Sequence, residues 1–498
     1  MSLLIDKANS LPRTPRPDDA QQARLLAEQL GYLPLALTHA AAYVGELDLA
    51  FDAYLKEFDE ALQFHEEEVI EYDSDPENSK LLKTVATTYF LSIDRLGPVE
   101  KALLRAASFL APAPIPIAMF ADCPEEVNAL VGLWGEETGE ASAGKSVRDA
   151  LTELVHYSLI ARDADVFTIH RMERLVLSHK VPKDRVPRWT EATRAALVRY
   201  GPDETAENPT TWPVWDRLRP HAEALVRAAQ ADRRVEPSLT LMIGLGQLYY
   251  GKGLYAENLA IDEAALGIAG RVDGAESAAF ASRQLAYGET LRALGRYPEA
   301  EAAFRKCLAI NERLHGFESV SVASVLNYVA ISVGDQGRLG EQEDLLRKAL
   351  TIYESEANID EASADKDGFG KILNNLGAIL VKKGSFDEAE RMLRRTLAHF
   401  EEAFGREHPR ALESVHKLAV LLYSEGDYSA AEPLFRRALE ARELVLGSEH
   451  PDTLATLLNL TELLAKAGRT DESAALRKEY AARMAAKEAR AHNGRLPA

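Results

Sequence analysis

The 498-residue chain carries a formal net charge of −20, with 46% hydrophobic and 27% charged residues, the composition of a water-soluble globular protein with room for roughly two to four domains. Acid in this excess disfavours nonspecific binding to nucleic acid or to an anionic membrane; no apolar run approaches the roughly 18 residues a membrane helix needs, and the first residues lack a secretory pattern, so a cytoplasmic protein is expected. Two cysteines, Cys123 and Cys307, lie in separate segments and point to neither a disulfide framework nor a metal site.

In chain order, residues 1–17 are rich in proline and arginine and read as a linker or truncated edge. Helical spacing begins at Asp18, where Ala20, Ala23, Leu26, Ala27 and Leu30 share a face, with Asp18 or Asp19 as cap and Gly31 as stop. A second helix starts at Pro34, so residues 18–79 are expected to form a small helical domain; its acidic stretch, 66–77, has no ligand spacing and reads as a solvated loop or helix end. Residues 80–182 predict two helices over 81–110, the second starting at Pro98, then a helix over 146–156 and a small hairpin whose strands, 158–162 and 166–170, flank a turn at 163–165. Helices followed by a small hairpin are the physical pattern of a winged helix. A helical bridge over 183–236, carrying Trp212 and Trp215, leads to the second half of the chain.

Within the first half, Gly139, Gly144, Lys145 and Ser146 fit the phosphate-loop pattern G-x-x-x-x-G-K-[ST]. Such a loop needs a buried strand ending at its first glycine, and Trp134 to Thr138 supply none. A polar loop in which Ser146 caps the next helix is the better reading. The enzyme alternative is a cryptic nucleotide hydrolase using 139–146 through Lys145 and Ser146, and a third is a transcription regulator reading DNA through the winged helix, which the acidic total opposes.

The second half repeats. Gly253, Gly295, Gly337, Gly384, Gly426 and Gly468 recur at intervals of 42, 42, 47, 42 and 42 residues, the signature of stacked helical hairpins. Seven residues before each glycine stands a small residue, Gly246, Gly288, Ala330, Gly377, Ala419 or Thr461, and nine after, in the middle four, stands Phe304, Leu346, Leu393 or Phe435. Small positions let two antiparallel helices approach, and the large ones fill between them. Six hairpins are expected over 237–488, with 489–498 a tail. Asp262, where an apolar residue belongs, and Arg477 and Tyr480 mark the first and last as atypical. Arg305, Arg347, Arg394 and Arg436 form a basic stripe, but Glu301, Glu343, Glu390 and Glu432 precede them by four residues, the favourable helical orientation for a neutralising pair.

These hairpins, with turns such as Gly295-Arg-Tyr-Pro-Glu-Ala, resemble the tetratricopeptide repeat (TPR), and the links before Pro409 and Pro451 resemble its kinesin-light-chain variety. The resemblance implies an all-α fold in which a helical domain and a winged helix precede a right-handed TPR superhelix, or α-solenoid. It also implies a concave groove that holds a peptide or protein, lined nine residues before each turn glycine, where Tyr328, Asn375, Lys417 and Asn459 stand. In the first half, Gly31, Leu33, Pro34, Leu35 and Ala36 resemble the motif that opens the small helical domain of NB-ARC proteins, signalling ATPases of the STAND class, and the segment from Phe167 through His170 to Val176 resembles their Met-His-Asp motif. There the family's proline packs on adenine and its histidine faces the β-phosphate of ADP; carried over, these are Pro34 and His170, with Arg171 in place of the acidic residue. The implied whole is the sensor and regulatory portion of such an ATPase. It has no nucleotide-hydrolysing domain or cofactor of its own, and no catalytic or metal site, with ADP or ATP belonging to a longer parent. The partners implied are a groove ligand and, on activation, a nucleotide-binding domain or a second copy.

Overall fold

Helix accounts for nearly all regular structure in the computed structural model of the chain, which describes residues 2–11, 13–65, 76–140, 144–202, 209–235, 237–355, 365–448 and 450–493. The all-α expectation holds. The chain divides into two compact units, 1–261 and 262–498, and no helix among the described residues is long and apolar enough to cross a membrane.

The first unit opens with α1 (Ser2–Asn9), α2 (Asp19–Gln29), α3 (Pro34–Glu46) and α4 (Phe51–His65). Residues 1–17 do not behave as a linker. Leu4 and Ala8, one helical turn apart, are fully buried, α1 packs against α3, and the proline-rich strap after it is pinned by buried Arg13, which pairs with Asp19 at 2.5 Å and donates to the Leu49 carbonyl at 3.0 Å. Asp19 therefore serves as an ion-pair partner, and Asp18 stands at the cap position without a side-chain cap bond. Two buried apolar residues in an eight-residue helix are too few to raise a periodic signal.

Next come α5 (Pro76–Asp94), α6 (Pro98–Ser108), β1 (Ile115–Pro116), α7 (Ala118–Ala121), α8 (Pro124–Thr138), α9 (Val147–His156), β2 (Ala161–Asp163), β3 (Val166–Thr168) and α10 (Arg171–His179). Most of the acidic stretch, 66–75, lies outside the described residues. The hairpin forms as spaced, turning at Ala164 with φ 46°, but the sheet has three antiparallel strands in the order β1-β3-β2, with Ile115 opposite Phe167. Two residues around a proline carry too little alternation to announce β1. Helix α8 likewise adds an element to the expected set. It shows why the phosphate-loop pattern is not a cradle: a helix, not a strand, ends at Gly139, which closes it at φ 76°. Ser146 caps α9 by accepting from the Asp149 amide at 3.2 Å, and the Lys145 ammonium is taken by Glu100 at 2.5 Å and by Glu153. Residues 141–143 lie outside the described set. The unit continues with α11 (Val186–Tyr200), α12 (Trp212–Ala231) and α13 (Leu239–Gly251). Trp215 of the bridge packs so closely on α13 that a Cβ at Gly244 would lie 2.3 Å from its ring.

Helix α14 (Tyr255–Val272) spans the division between the units. The second unit then runs α15 (Ala278–Ala293), α16 (Tyr297–His315), α17 (Val320–Asp335), α18 (Leu339–Tyr353), α19 (Lys366–Lys382), α20 (Phe386–Phe404), α21 (Pro409–Glu425), α22 (Tyr428–Leu446), α23 (Pro451–Lys466) and α24 (Thr470–Asn493). Each packs on the next, and α17, α19, α21 and α23, first helices of successive hairpins, also touch in sequence. All six turn glycines lie at φ 72–85°, left-handed backbone that a side chain would strain. The small-against-large logic holds in detail: a Cβ at Gly288 would meet the Phe304 ring at 2.5 Å, and one at Gly377 would meet Leu393 at 2.9 Å. Pro409 and Pro451 sit in the first turns of their helices, with His408 and His450 capping through Nδ1. The four glutamate–arginine pairs all form, at 2.7–2.9 Å. Three of those glutamates also reach a cation of the following hairpin: Glu301 to Arg338, Glu343 to Lys383, and Glu432 to Arg469. Arg305, Arg347 and Arg436 in turn meet a second carboxylate, Glu341, Glu388 and Glu472, so charges of both signs alternate along the stripe.

Asp262 takes an apolar position with a definite energetic consequence. Burial pushes its carboxyl up to about 6, against the Thr290 hydroxyl donating at 2.6 Å and the nearby Arg283. A carboxyl raised above its unfolded value favours the fold while protonated and loses that contribution as pH rises through the folded value. Asp262→Asn, which keeps an acceptor for Thr290, should therefore raise stability by about 1–2 kcal/mol near pH 8 and by little near pH 4. Urea denaturation at the two pH values measures this; equal effects at both would contradict it.

Candidate functional site

Two concavities collect the residues singled out from the sequence. In the second unit, first helices α15, α17, α19 and α21 together wall a groove of about 220 Å³. Its lining includes Arg292, Asn327, Tyr328, Lys371, Asn374, Asn375, Arg410 and Glu413, with Phe400 from α20. Tyr328 and Asn375 are among these lining residues. The Tyr328 ring is held by Phe304, with centroids 5.6 Å apart. Lys417 and Asn459 lie further along: the Lys417 ammonium sits on Glu413 at 2.8 Å, and Asn459 contacts His416.

Charges along the groove are paired. Arg292 meets Asp335 at 3.2 Å, Lys371 meets Asp367, and Arg410 meets Asp367 at 3.1 Å. Burial pushes the Glu413 carboxyl up, but Lys417 and then Arg410 outweigh it and hold the group below the usual carboxylate range. A neutral, donor-and-acceptor-rich wall of this kind suits a peptide backbone better than a free ion.

The residues one position earlier, ten before the turn glycine, bond across to the next hairpin. Asn375 donates to Asn327 Oδ1 of the preceding hairpin at 2.8 Å. Asn459 stands in the same relation to His416 of its preceding hairpin, with Nδ2 3.3 Å from Nε2. For Nε2 to accept, the His416 proton must be on Nδ1, which faces Thr456 at 3.3 Å. Burial, with Arg442 beside it, lowers this imidazole to about 4, so it is neutral. Two of the expected ligand-facing amides are therefore already engaged between hairpins, a pairing visible only once α17, α19, α21 and α23 are side by side.

In the first unit a cavity of about 690 Å³ is walled by Lys7 of α1, Leu35 and Thr38 of α3, the hairpin, and His170 and Arg171 at the start of α10. Pro34 opens α3 at its first position, one residue before the wall. His170 caps α10: its Nδ1 accepts the Met172 N–H at 3.2 Å, while Glu173 reaches back to the His170 amide. With Nδ1 accepting, the neutral ring carries its proton on Nε2. The capping imidazole, two cations and a helix N-terminus line one space. Glu173 also pairs with His39 of α3, Nε2 to Oε1 at 2.7 Å, and both side chains are buried.

The tetratricopeptide repeat family profile matches residues 283–355, 369–443 and 414–485. No curated protein matches the sequence. Among solved structures, BtubC (BKLC) from P. vanneervenii is similar at 21% identity and a TM-score of 0.41, covering 49% of this chain and 94% of its own. A putative kinesin light chain from Podosopora anserina with nearly identical TPR-like repeats shows 21% identity and a TM-score of 0.36, over 41% and 95%. A STAND protein with a tetratricopeptide repeat sensor from Pyrococcus horikoshii shows 13% identity and a TM-score of 0.35, over 90% and 72%. The C-terminal region of this chain therefore carries tetratricopeptide repeats, over residues 283–355 and 369–485.

Proposed function

We propose that the chain is the sensing and regulatory module of an NB-ARC-type signalling ATPase: its repeats capture an extended peptide or protein segment, and its first unit meets the phosphates of an ADP or ATP held by a nucleotide-binding domain. The observation that carries the first part is the groove itself, where four successive first helices contribute paired charges, amides and the Tyr328 ring to one wall. Tetratricopeptide arrays generally bind peptide or protein partners. Residues Tyr328, Asn375, Lys417 and Asn459 remain the proposed groove set, the last two as an extension past Glu413. A cytoplasmic setting and self-association on activation belong to the same reading.

The second part is supported by the cavity at His170. Its imidazole, Lys7 and Arg171 suit a phosphate, and Leu35 beyond Pro34, with Leu159 and Ile160, offers an apolar side. Bound there, the nucleotide would supply a negative charge whose loss or exchange changes how α3 and α10 are held together.

Both parts can be tested on the full chain. Linear peptides selected from a random phage library should lose at least about tenfold in affinity on Tyr328→Ala, as expected when an aromatic anchor is truncated, and should not respond to Arg305→Ala on the neutralised stripe. Binders indifferent to Tyr328 would place the capture surface elsewhere. Pyrophosphate, as a probe of the cavity, should shift the His170 ring resonances, and an unmoved ring at millimolar pyrophosphate would remove the phosphate contact.

A further inference from the structure

Helices α5, α6, α8 and α10 line a second cavity in the first unit, of about 290 Å³, which shares no lining residue with the one at His170. Ile93, Leu104 and Leu177 give it an apolar wall, and Phe90 and Trp134 add two aromatic rings. Each ring carries a cation: Lys180 stands 4.4 Å from the Phe90 centroid, and Arg105 stands 4.4 Å from a Trp134 centroid. Arg105 is neutralised by Glu137 at 2.5 Å.

The same lining holds a built receptor for a carboxylate, filled by a carboxylate of the chain itself. Lys101 donates from Nζ to Glu140 Oε1 at 3.0 Å, and the Trp134 indole donates from Nε1 to Glu140 Oε2 at 2.8 Å. An ammonium from α6 and an N–H from α8 thus divide the two oxygens between them, as donors that recognise a ligand carboxylate do. The two partners are held very differently. Glu140 follows Gly139, which closes α8, and its side chain is 40% exposed, so water can take its carboxylate at small cost. Lys101 is only 8% exposed and needs an anion wherever Glu140 goes.

We propose that this cavity binds a small monocarboxylate with an apolar body: the ligand's carboxylate displaces Glu140 from Lys101 and Trp134, and its body fills the space against Ile93, Leu104 and Leu177. The volume is at the small end for a ligand cavity, which suits a single ring or a short chain. Asp94 on the same lining opposes a second negative charge. Glu140 acts as an internal competitor, so the site fills only above a threshold concentration that this one side chain sets.

The experiment uses the full chain and three probes with one ring and different charges: para-fluorophenylacetate, its neutral amide, and the cationic para-fluorobenzylamine, each followed by its fluorine resonance. The carboxylate should bind with a Kd of about 1 mM or tighter, and the amide and amine at least about tenfold more weakly. It should also move the Trp134 indole N–H resonance, identified by its loss in Trp134→Phe. Glu140→Ala should tighten the carboxylate about tenfold by removing the competitor, with the amide unchanged. Lys101→Met should weaken the carboxylate about tenfold. Trp134→Phe, which keeps a ring and deletes the donor, should weaken it several-fold and serves in place of Lys101→Met if that variant does not fold.

Equal affinity for carboxylate and amide overturns the proposal, as does a Glu140→Ala chain that binds the carboxylate no better than the unaltered one. An unmoved Trp134 indole places the probe elsewhere and has the same force. Loss of folding in Glu140→Ala would show the carboxylate to be a fixed part of the fold, and the exchange fails.

Discussion

Cutting Glu173 back to alanine should lower the unfolding free energy of the first unit by roughly 1–3 kcal/mol, the range for leaving a buried polar group without its hydrogen-bond partner. Glu173 is 2% exposed and His39 is fully buried. The pair joins α3 to α10 at 2.7 Å, and the other carboxylate oxygen accepts the His170 amide at 3.2 Å. One substitution thus strands a buried imidazole nitrogen and removes half of a capping box. His39 Nδ1 already has no partner among the described residues, so no second contact compensates. Glu173→Gln keeps an oxygen for the His170 amide and a donor for a neutral imidazole, and should lose far less. Urea denaturation followed by tryptophan fluorescence compares the two. Equal losses for Ala and Gln would show that the carboxylate charge, rather than the hydrogen bonds and the cap, carries the stability. The alanine variant should also blunt the His170 response to pyrophosphate, because that ring is aimed by the cap.

Phe304→Ala should destabilise the second unit by about 3–5 kcal/mol, the usual result of emptying a buried aromatic site that cannot collapse. The ring is fully buried and lies against Gly288, where no Cβ could fit without displacing it. In a stacked array each hairpin is stabilised chiefly by its neighbours, so the loss should appear as faster amide exchange through α15, α16 and α17. Tyr328 rests on the same ring, and peptide affinity should fall with stability even though Phe304 does not line the groove. The converse change, Gly288→Ala, overpacks the contact and should cost about 1–3 kcal/mol. Exchange confined to α16 alone would argue that the hairpins are less coupled than their packing implies.

What could be read from residues in order was what neighbours in order decide. A hairpin of 42 residues closes on itself, so the turn glycines, the small residue opposite Phe304 or Leu393, the prolines opening α21 and α23, and the glutamate–arginine pairs all announce themselves at short range. Asp262 stood out for the same reason, as one charged residue in a local apolar pattern, although its raised carboxyl required knowing how deeply it is buried. The phosphate-loop pattern could be set aside because the segment before it lacks a strand, and α8 supplies the positive reason.

Other features depend on residues that meet only when the chain has folded. Leu4 and Ala8 become a helix worth burying only because α3 lies beside them, and Ile115 becomes a strand only because Phe167 pairs with it. His39 and Glu173 are 134 residues apart. Three glutamates of the stripe find second cations one hairpin later. Repetition, helical class and hairpin register were therefore determined by the sequence alone, since local periodicity encodes them. Which polar atoms are paired across helices was decided only by tertiary packing, because a hydrogen bond depends on distance in space and not on separation along the chain.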